Sequence, residues 1–279
     1  MLGARDAGRV AELMRETAAA ELMPRFRGLA KEDIRLKGPG DFVTVADELS
    51  EQRLAAGLAR ILPGVPVVGE EAAEKDPSLL ELIGRPGEAC WVVDPLDGTA
   101  NFARGREPFA MIVSLVQDTV AVGGWILDVP RGQMAVARRG EGVTLDGEPV
   151  HAMAVERPLI GFVGYRIRKE FDRQLPPIAR RQLGHLSTLN CAGAEYLELL
   201  TGRADFSLYR RTKPWDHAAG TLMLRELGGD AVRFGGEAYM PGQPLTAGLI
   251  ASARPEVLTQ ARALFEAVRL PLLTGLPKS

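Results

Sequence analysis

Apolar positions recur at helical spacing near both ends of the chain and in short continuous runs between them. From Asp6 to Phe26, the residues Val10, Leu13, Met14, Thr17, Ala18 and Leu22 share one face, which predicts an amphipathic helix. A second helix is predicted from about Asp47, with Leu54, Leu58 and Ile61 turned inward and Pro63-Gly64 ending it. Val65–Val68 and Cys90–Val93 read as short buried strands. Phe109–Val116, Thr119–Leu127 and Gln133–Ala137 are also strand-like, with a turn signal at Asp146-Gly147. The remainder alternates: strand Ile160–Gly164, helix Gly193–Thr201, strand Asp205–Tyr209, helix Asp216–Leu227 stopped by Gly228-Gly229, strand Gly248–Ala251 and helix Pro255–Val268. Arg166 to Arg181 reads only as an exposed, charged helical segment. The pattern therefore predicts helices on a mainly antiparallel sheet followed by an alternating half, a layered α/β or α+β fold with a boundary near residue 150.

Composition narrows the class. The 279 residues are 46% hydrophobic and 25% charged, as in ordinary soluble globular chains. Thirty-four basic residues against thirty-six acidic ones leave a net charge of −2, which gives nucleic acid no basic field to follow. The longest uncharged apolar stretches, Pro108–Gln117 and Thr119–Leu127, are separated by Asp118 and are each too short to span a bilayer. Arg5 and Asp6 interrupt any signal-peptide core. Cys90 and Cys191 are the only cysteines and share no motif spacing, so no disulfide framework is expected and the reducing cytoplasm is the default compartment.

The chemistry concentrates in Trp91-Val-Val-Asp-Pro-Leu-Asp-Gly-Thr-Ala-Asn-Phe102. An apolar strand runs directly into Asp94 and Asp97, with Pro95 stiffening the chain between them and Gly98 permitting a turn before Thr99. Carboxylates at the mouth of a buried strand are costly unless a positive charge neutralises them. Hard divalent cations do so through oxygen ligands, and Mg²⁺ favours a few carboxylates plus water and substrate phosphate. The N–H groups of Gly98, Thr99 and Ala100 would open a turn or helix and form a cradle for phosphate. Asp-Gly alone would be an ordinary turn, but a turn requires none of the other residue types.

Three further segments carry acids. Gly69-Glu70-Glu71 ends the Val65–Val68 run; alone it reads as a solvated helix start, but a parallel pairing with Cys90–Val93 would bring its acids to the same sheet edge. Trp215-Asp216-His217-Ala-Ala-Gly220 opens a helix of small residues, where Asp216 alone would serve as an N-cap. The small side chains allow that helix to approach another backbone closely. Asp41-Phe-Val-Thr44-Val-Ala-Asp47 offers Asp47 either as a helix cap or as an orienter of a hydroxyl, with Thr99 the candidate partner. His217, beside Asp216, is expected to pack or support rather than to bind metal. Two like charges about 5 Å apart repel by roughly 3 kcal/mol at an effective dielectric near 20, so four crowded acids need cations.

In order and spacing, D-x-V-T-x-x-D, G-E-E, D-P-x-D-G-T-x-N-F and W-D-x-A-A-G resemble the inositol monophosphatase superfamily, Mg²⁺-dependent and lithium-sensitive phosphatases, over residues 41 to 220. The resemblance implies an α-β-α-β-α sandwich, usually a homodimer. Residues 1–150 would form the metal- and phosphate-binding half, and 151–279 the half that completes the site. It implies that Glu70, Asp94 and the Leu96 carbonyl hold an activating metal, that Asp94, Asp97 and Asp216 hold a second, and that a weaker third again uses Glu70. Glu70 and Thr99 would position the attacking water, with Asp47 bonded to Thr99, and Gly98 and Thr99 would bind phosphate. Displacement would be in line, without a phosphoenzyme, on an inositol phosphate or a related sugar phosphate.

The chain departs from the inositol-specific pattern seven residues before Asp216. An acid there would bond sugar hydroxyls, but Tyr209 stands in its place and leads into Arg210-Arg211-Thr212-Lys213. Those cations would suit a second phosphate or carboxylate, or else form a solvated loop. Fructose-1,6-bisphosphatase, 3′-phosphoadenosine 5′-phosphate phosphatase and histidinol-phosphate phosphatase activities are the alternatives, with an inactive phosphate-binding homologue as the non-enzymatic one.

Overall fold

A computed structural model describes residues 2–38, 41–153, 157–243, 245–246 and 248–268, without the side chain of Asp41. The chain opens with α1 (Ala4–Thr17), extended by a π-helical turn over Ala18–Leu22, so the predicted first helix ends before Phe26. β1 (Ile34–Gly38) and β2 (Asp41–Thr44) form an antiparallel ribbon, missed in the sequence because the alternation of Ile34-Arg35-Leu36-Lys37 is only four residues long. Then follow α2 (Val45–Ile61), β3 (Val67–Gly69), the short α3 (Glu70–Lys75), β4 (Ala89–Asp97) and the single turn α4 (Thr99–Phe102). β5 (Ala110–Gln117), β6 (Val120–Asp128), β7 (Gln133–Arg138), β8 (Val143–Leu145) and β9 (Glu148–Pro149) complete a seven-stranded sheet in the order β3 to β9. Only β3 and β4 pair in parallel; the other neighbours are antiparallel.

The second sheet begins with β10 (Leu159–Val163), followed by α5 (Tyr165–Gln174), α6 (Pro177–Arg180) and β11 (Leu183–Ser187). Next come α7 (Ala192–Leu200), β12 (Phe206–Tyr209), α8 (Pro214–Glu226), β13 (Asp230–Arg233), β14 (Leu249–Ser252) and α9 (Pro255–Glu266). Its strand order is β11-β10-β12-β14-β13. The charged segment at Arg166–Arg181 resolves into α5 and α6, with Ile167 and Phe171 buried.

Strand alternation assigns the layers. Trp91 and Val93 face α1 and α2, joining Met14, Leu54 and Leu58 in one core. Cys90 and Val92 face the other way, onto α7 and α8, through Tyr196, Ala219 and Met223 and on to Phe162 and Leu249 of the second sheet. The far side of that sheet buries Val163, Leu208 and Ile250 against Ile167 and Phe171 of α5 and Leu258 and Phe265 of α9. The result is the five-layer α-β-α-β-α arrangement. The small residues of α8 permit this closeness: a Cβ on Gly124 would come within 3.0 Å of the Ala219 Cα, and one on Gly220 within 2.3 Å of the Tyr196 ring. No helix among the described residues is long and apolar enough to cross a membrane.

Candidate active site

The parallel register of β3 on β4 sets Gly69 opposite Val93, so the next residues, Glu70 at the start of α3 and Asp94 still within β4, come to the same end of the strand pair. Glu70 starts α3, whose first amides are capped from α2: Glu51 accepts from Glu71 N at 2.8 Å and from Ala72 N at 2.9 Å. That carboxylate lies so close that a Cβ on residue 69 would sit 2.2 Å from its Cδ, which accounts for Gly69. Asp94 is buried and accepts from Leu96 N at 3.0 Å, an Asx turn over Pro95. Burial raises its carboxyl well above the usual range, and Glu70, Asp97 and Asp216 add to the rise, so these acids do repel one another.

Gly98 takes a left-handed conformation (φ 87°), and a Cβ there would meet both Cys191 Cβ and the Pro108 carbonyl at 3.2 Å. It turns the chain into α4, whose first N–H groups have no intrahelical acceptor. Asn101 ties this turn across the molecule, donating to the Pro108 carbonyl at 2.8 Å and the Leu189 carbonyl at 2.9 Å. Phe102 anchors it edge-on to Phe109, with ring centroids 5.0 Å apart.

Thr99 Oγ1 lies 3.0 Å from Asp47 Oδ1 and 2.8 Å from the Leu96 carbonyl, between which its single proton can be shared. Asp47 is not itself the N-cap, but it does both things considered from the sequence, capping α2 and holding the Thr99 hydroxyl. Thr44 is the N-cap of α2, and Asp47, at the third helical position, accepts from Thr44 N at 2.8 Å and Thr44 Oγ1 at 2.6 Å. Burial lifts the Asp47 carboxyl to about 7 despite these bonds, with Glu71 and Glu70 contributing. Asp216 is likewise not an N-cap: Lys213 holds that place, Pro214 opens α8, and Asp216 N donates to the Lys213 carbonyl at 3.2 Å.

Glu70, Asp94, Leu96, Asp97, Gly98, Thr99 and Asp216 line one open cavity of about 170 Å³. Asp97 reaches it from β4 while its Oδ2 accepts from Gly193 N at 2.6 Å, at the start of α7, and lies 3.2 Å from Cys191 Sγ. Among the described residues, no three acid, histidine or cysteine groups close into a ready coordination cluster. Two lysines intervene instead. Lys213 Nζ lies 2.8 Å from Glu70 Oε1 and 3.2 Å from Glu74 Oε1. Lys37 Nζ lies 2.8 Å from Glu71 Oε1 and 2.7 Å from Glu74 Oε2. Burial works against both ammonium groups, yet the surrounding acids hold their pKa values above the ordinary lysine range. The all-oxygen donor set and the repulsion at Asp94 fit a hard divalent cation.

A sequence profile of the inositol monophosphatase family matches residues 8–269. The chain belongs to the inositol monophosphatase family. As a member of that family it is a phosphatase, a phosphoric monoester hydrolase. It is 29% identical over 261 residues to the inositol-1-monophosphatase of Rhizobium meliloti, covering 91% of this chain and 93% of that one. It is 30% identical over 223 residues to the Nus factor SuhB of Escherichia coli K12, covering 76% and 79%. In fold it is similar to the IMPase of Thermotoga maritima, with a TM-score of 0.75, 22% identity and coverage of 92% and 96%.

Within this inositol monophosphatase relative, Lys37, Glu74 and Lys213 are the site residues that the motifs did not reveal. Lys37 sits on the unpredicted ribbon, and Lys213 was indistinguishable from its solvated neighbours Arg210 and Arg211, which are exposed. Glu74 had a faint signal, four residues after Glu70 and so one helical turn along. Tyr209 ends β12, its ring 4.5 Å from that of His217 and its hydroxyl beside Glu195. His217 is buried, 3.1 Å through Nδ1 from Tyr196 Oη and 3.0 Å through Nε2 from the Arg211 carbonyl, so it packs as expected.

Proposed function

We propose that this chain hydrolyses phosphate monoesters of small alcohols with Mg²⁺, and that inositol phosphate and related sugar phosphates are the starting candidates. The reading is carried by one observation: Glu70, Asp94, Asp97 and Asp216, from three distant segments, line the same cavity as Thr99, whose hydroxyl is bonded to Asp47. Glu70, Asp94 and the Leu96 carbonyl would hold one cation, Asp94, Asp97 and Asp216 a second, and Glu70 would contribute to a third. Bound there, Mg²⁺ supplies charge neutralisation at the entering and departing oxygens and acidifies water. Thr99, held by Asp47, would orient a water for in-line attack, with Glu70 as the other positioning group. The amides from Gly98 to Ala100 would take the phosphate oxygens. Residues 1–150 would thus bind metal and phosphate, and 151–279 would close the site over the alcohol. Tyr209 argues against myo-inositol 1-phosphate itself, since a phenol cannot accept bonds as a carboxylate does. A cytoplasmic homodimer is part of the same reading.

The test is phosphate release from a panel of esters (inositol 1-phosphate, fructose 1,6-bisphosphate, adenosine 3′,5′-bisphosphate, histidinol phosphate and 4-nitrophenyl phosphate) with Mg²⁺, with and without lithium. Hydrolysis of at least one, dependent on Mg²⁺ and inhibited by lithium, is expected. If none is cleaved, the reading fails.

A further inference from the structure

Beside the acidic cavity lies a larger one, and its walls bear on which alcohol leaves; the inference rests on the phosphatase reading above. This second cavity has a volume of about 360 Å³ and shares Asp97, Asn190 and Asp216 with the first. An ester with its phosphate among the acids therefore directs its alcohol into it. Its lining includes Phe162, Ile167 and Leu208, already buried, the half-buried Tyr209, and the exposed Thr188, Asn190 and Arg210. Apart from Asp97 and Asp216, the cavity's one carboxylate, Glu195, is already engaged, its Oε1 accepting from Thr188 Oγ1 and Leu189 N, both at 2.9 Å. An alcohol seated there would meet the ring of Tyr209 as well as these exposed polar groups.

The rim adds a second constraint. Arg210 is exposed, lines this cavity, and pairs with no acid among the described residues. It is the only cation among the cavity's described lining residues. Lys213, three residues on, is turned inward to Glu70 and so is committed elsewhere. A planar guanidinium with no acid partner among the described residues, exposed at this cavity, suits a carboxylate or phosphate with two oxygens in one plane. A cationic leaving group would meet repulsion at the same point.

The geometry points to a substrate that is the phosphomonoester of an alcohol carrying a second anionic group, the alcohol seated in the second cavity and its anion held by Arg210. Two matched pairs test it in saturating Mg²⁺. Phenylphosphonate and 4-phosphonobenzoate, which cannot be hydrolysed, are compared by calorimetric binding. Adenosine 3′-phosphate and adenosine 3′,5′-bisphosphate are compared by kcat/KM. In each pair the member with the extra anion should be favoured about 10- to 100-fold, the range for a charge-assisted bond, and Arg210→Gln should bring the ratio near one while Arg210→Lys keeps part of it. Equal binding of the two phosphonates by the wild-type protein, or a preference that survives Arg210→Gln, overturns the assignment. Because the phosphonates report binding alone, they decide the role of Arg210 even if no ester is cleaved, an outcome that would instead sink the phosphatase reading.

Discussion

Lys213 and Glu70, 143 positions apart in the sequence, meet with 2.8 Å between Nζ and Oε1, so an ammonium carried on the second half of the chain neutralises an acid on the first. The pair is largely withdrawn from solvent, the two side chains being 17% and 12% exposed. Truncating one partner of a fully buried pair costs roughly 3–5 kcal/mol. Here Lys37 remains beside the same acids, so Lys213→Met should cost about 2 kcal/mol without metal. In saturating Mg²⁺, added cations should offset most of that loss. Melting curves in EDTA and in Mg²⁺ decide it: a deficit equal in both conditions would show that Lys213 is not exchanging roles with a cation.

Asp94 gives the complementary case. Its carboxyl is driven upward by burial and by Glu70, Asp97 and Asp216, so Asp94→Asn removes a repelled charge while its side-chain oxygen can still accept from Leu96 N. The variant should melt at or above the wild-type temperature in EDTA, and Mg²⁺ should stabilise it less. Phosphatase activity should fall by about 10²–10³-fold, the range for losing one preorganised electrostatic group. Retention of full activity would contradict the metal assignment.

Thr99 and Asp47 separate orientation from folding. Thr99→Val removes the hydroxyl but leaves the Thr44–Asp47 capping box intact, so kcat should fall by about 10²-fold or more with little change in melting temperature. Thr99→Ser should recover most of the rate. Asp47→Ala should lose both rate and stability, because the capped start of α2 depends on that side chain as an acceptor. Steady-state kinetics beside melting curves on the three variants would show the split. Equal rates for Val and Ser at position 99 would refute a hydroxyl role.

Much of this arrangement was legible because the chemistry sits where local rules are strong. The apolar run into Asp94 and Asp97, the left-handed Gly98 and the small residues of α8 each have a backbone or packing reason that spacing alone reveals. What escaped lies in contacts that no local pattern encodes. The β1 alternation of Ile34-Arg35-Leu36-Lys37 is short and burial does not follow it: Leu36 is exposed, and Lys37 is drawn inward by partners more than thirty residues on. The N-cap position was misplaced at both Asp47 and Asp216, for a shared reason. Each acid sits at the third helical position, and the sequence does not show whether Thr44 or Lys213 ends the preceding extended segment.

His217 supplies a pH dependence of known sign. The Arg211 carbonyl can only accept, so Nε2 carries the proton and Nδ1 accepts from Tyr196 Oη, leaving the ring neutral. Burial lowers its pKa to about 4, against about 6.5 in an unfolded chain. The folded state therefore binds fewer protons, and the contribution of His217 is present above about pH 6.5 and lost as the pH falls toward 4, amounting to about 3 kcal/mol. Asp47, Glu71 and Glu195 act with the opposite sign: burial raises each to about 7, so each favours the folded state at low pH and loses that contribution as the pH rises. The wild-type profile alone would mix the two. His217→Gln, which can accept from Tyr196 and donate to Arg211 without titrating, isolates the first. Urea unfolding of both proteins in EDTA near pH 4.5 and near pH 7.5 should show the wild type losing stability relative to the variant on acidification. A difference independent of pH would mean that the imidazole is not kept neutral by its burial.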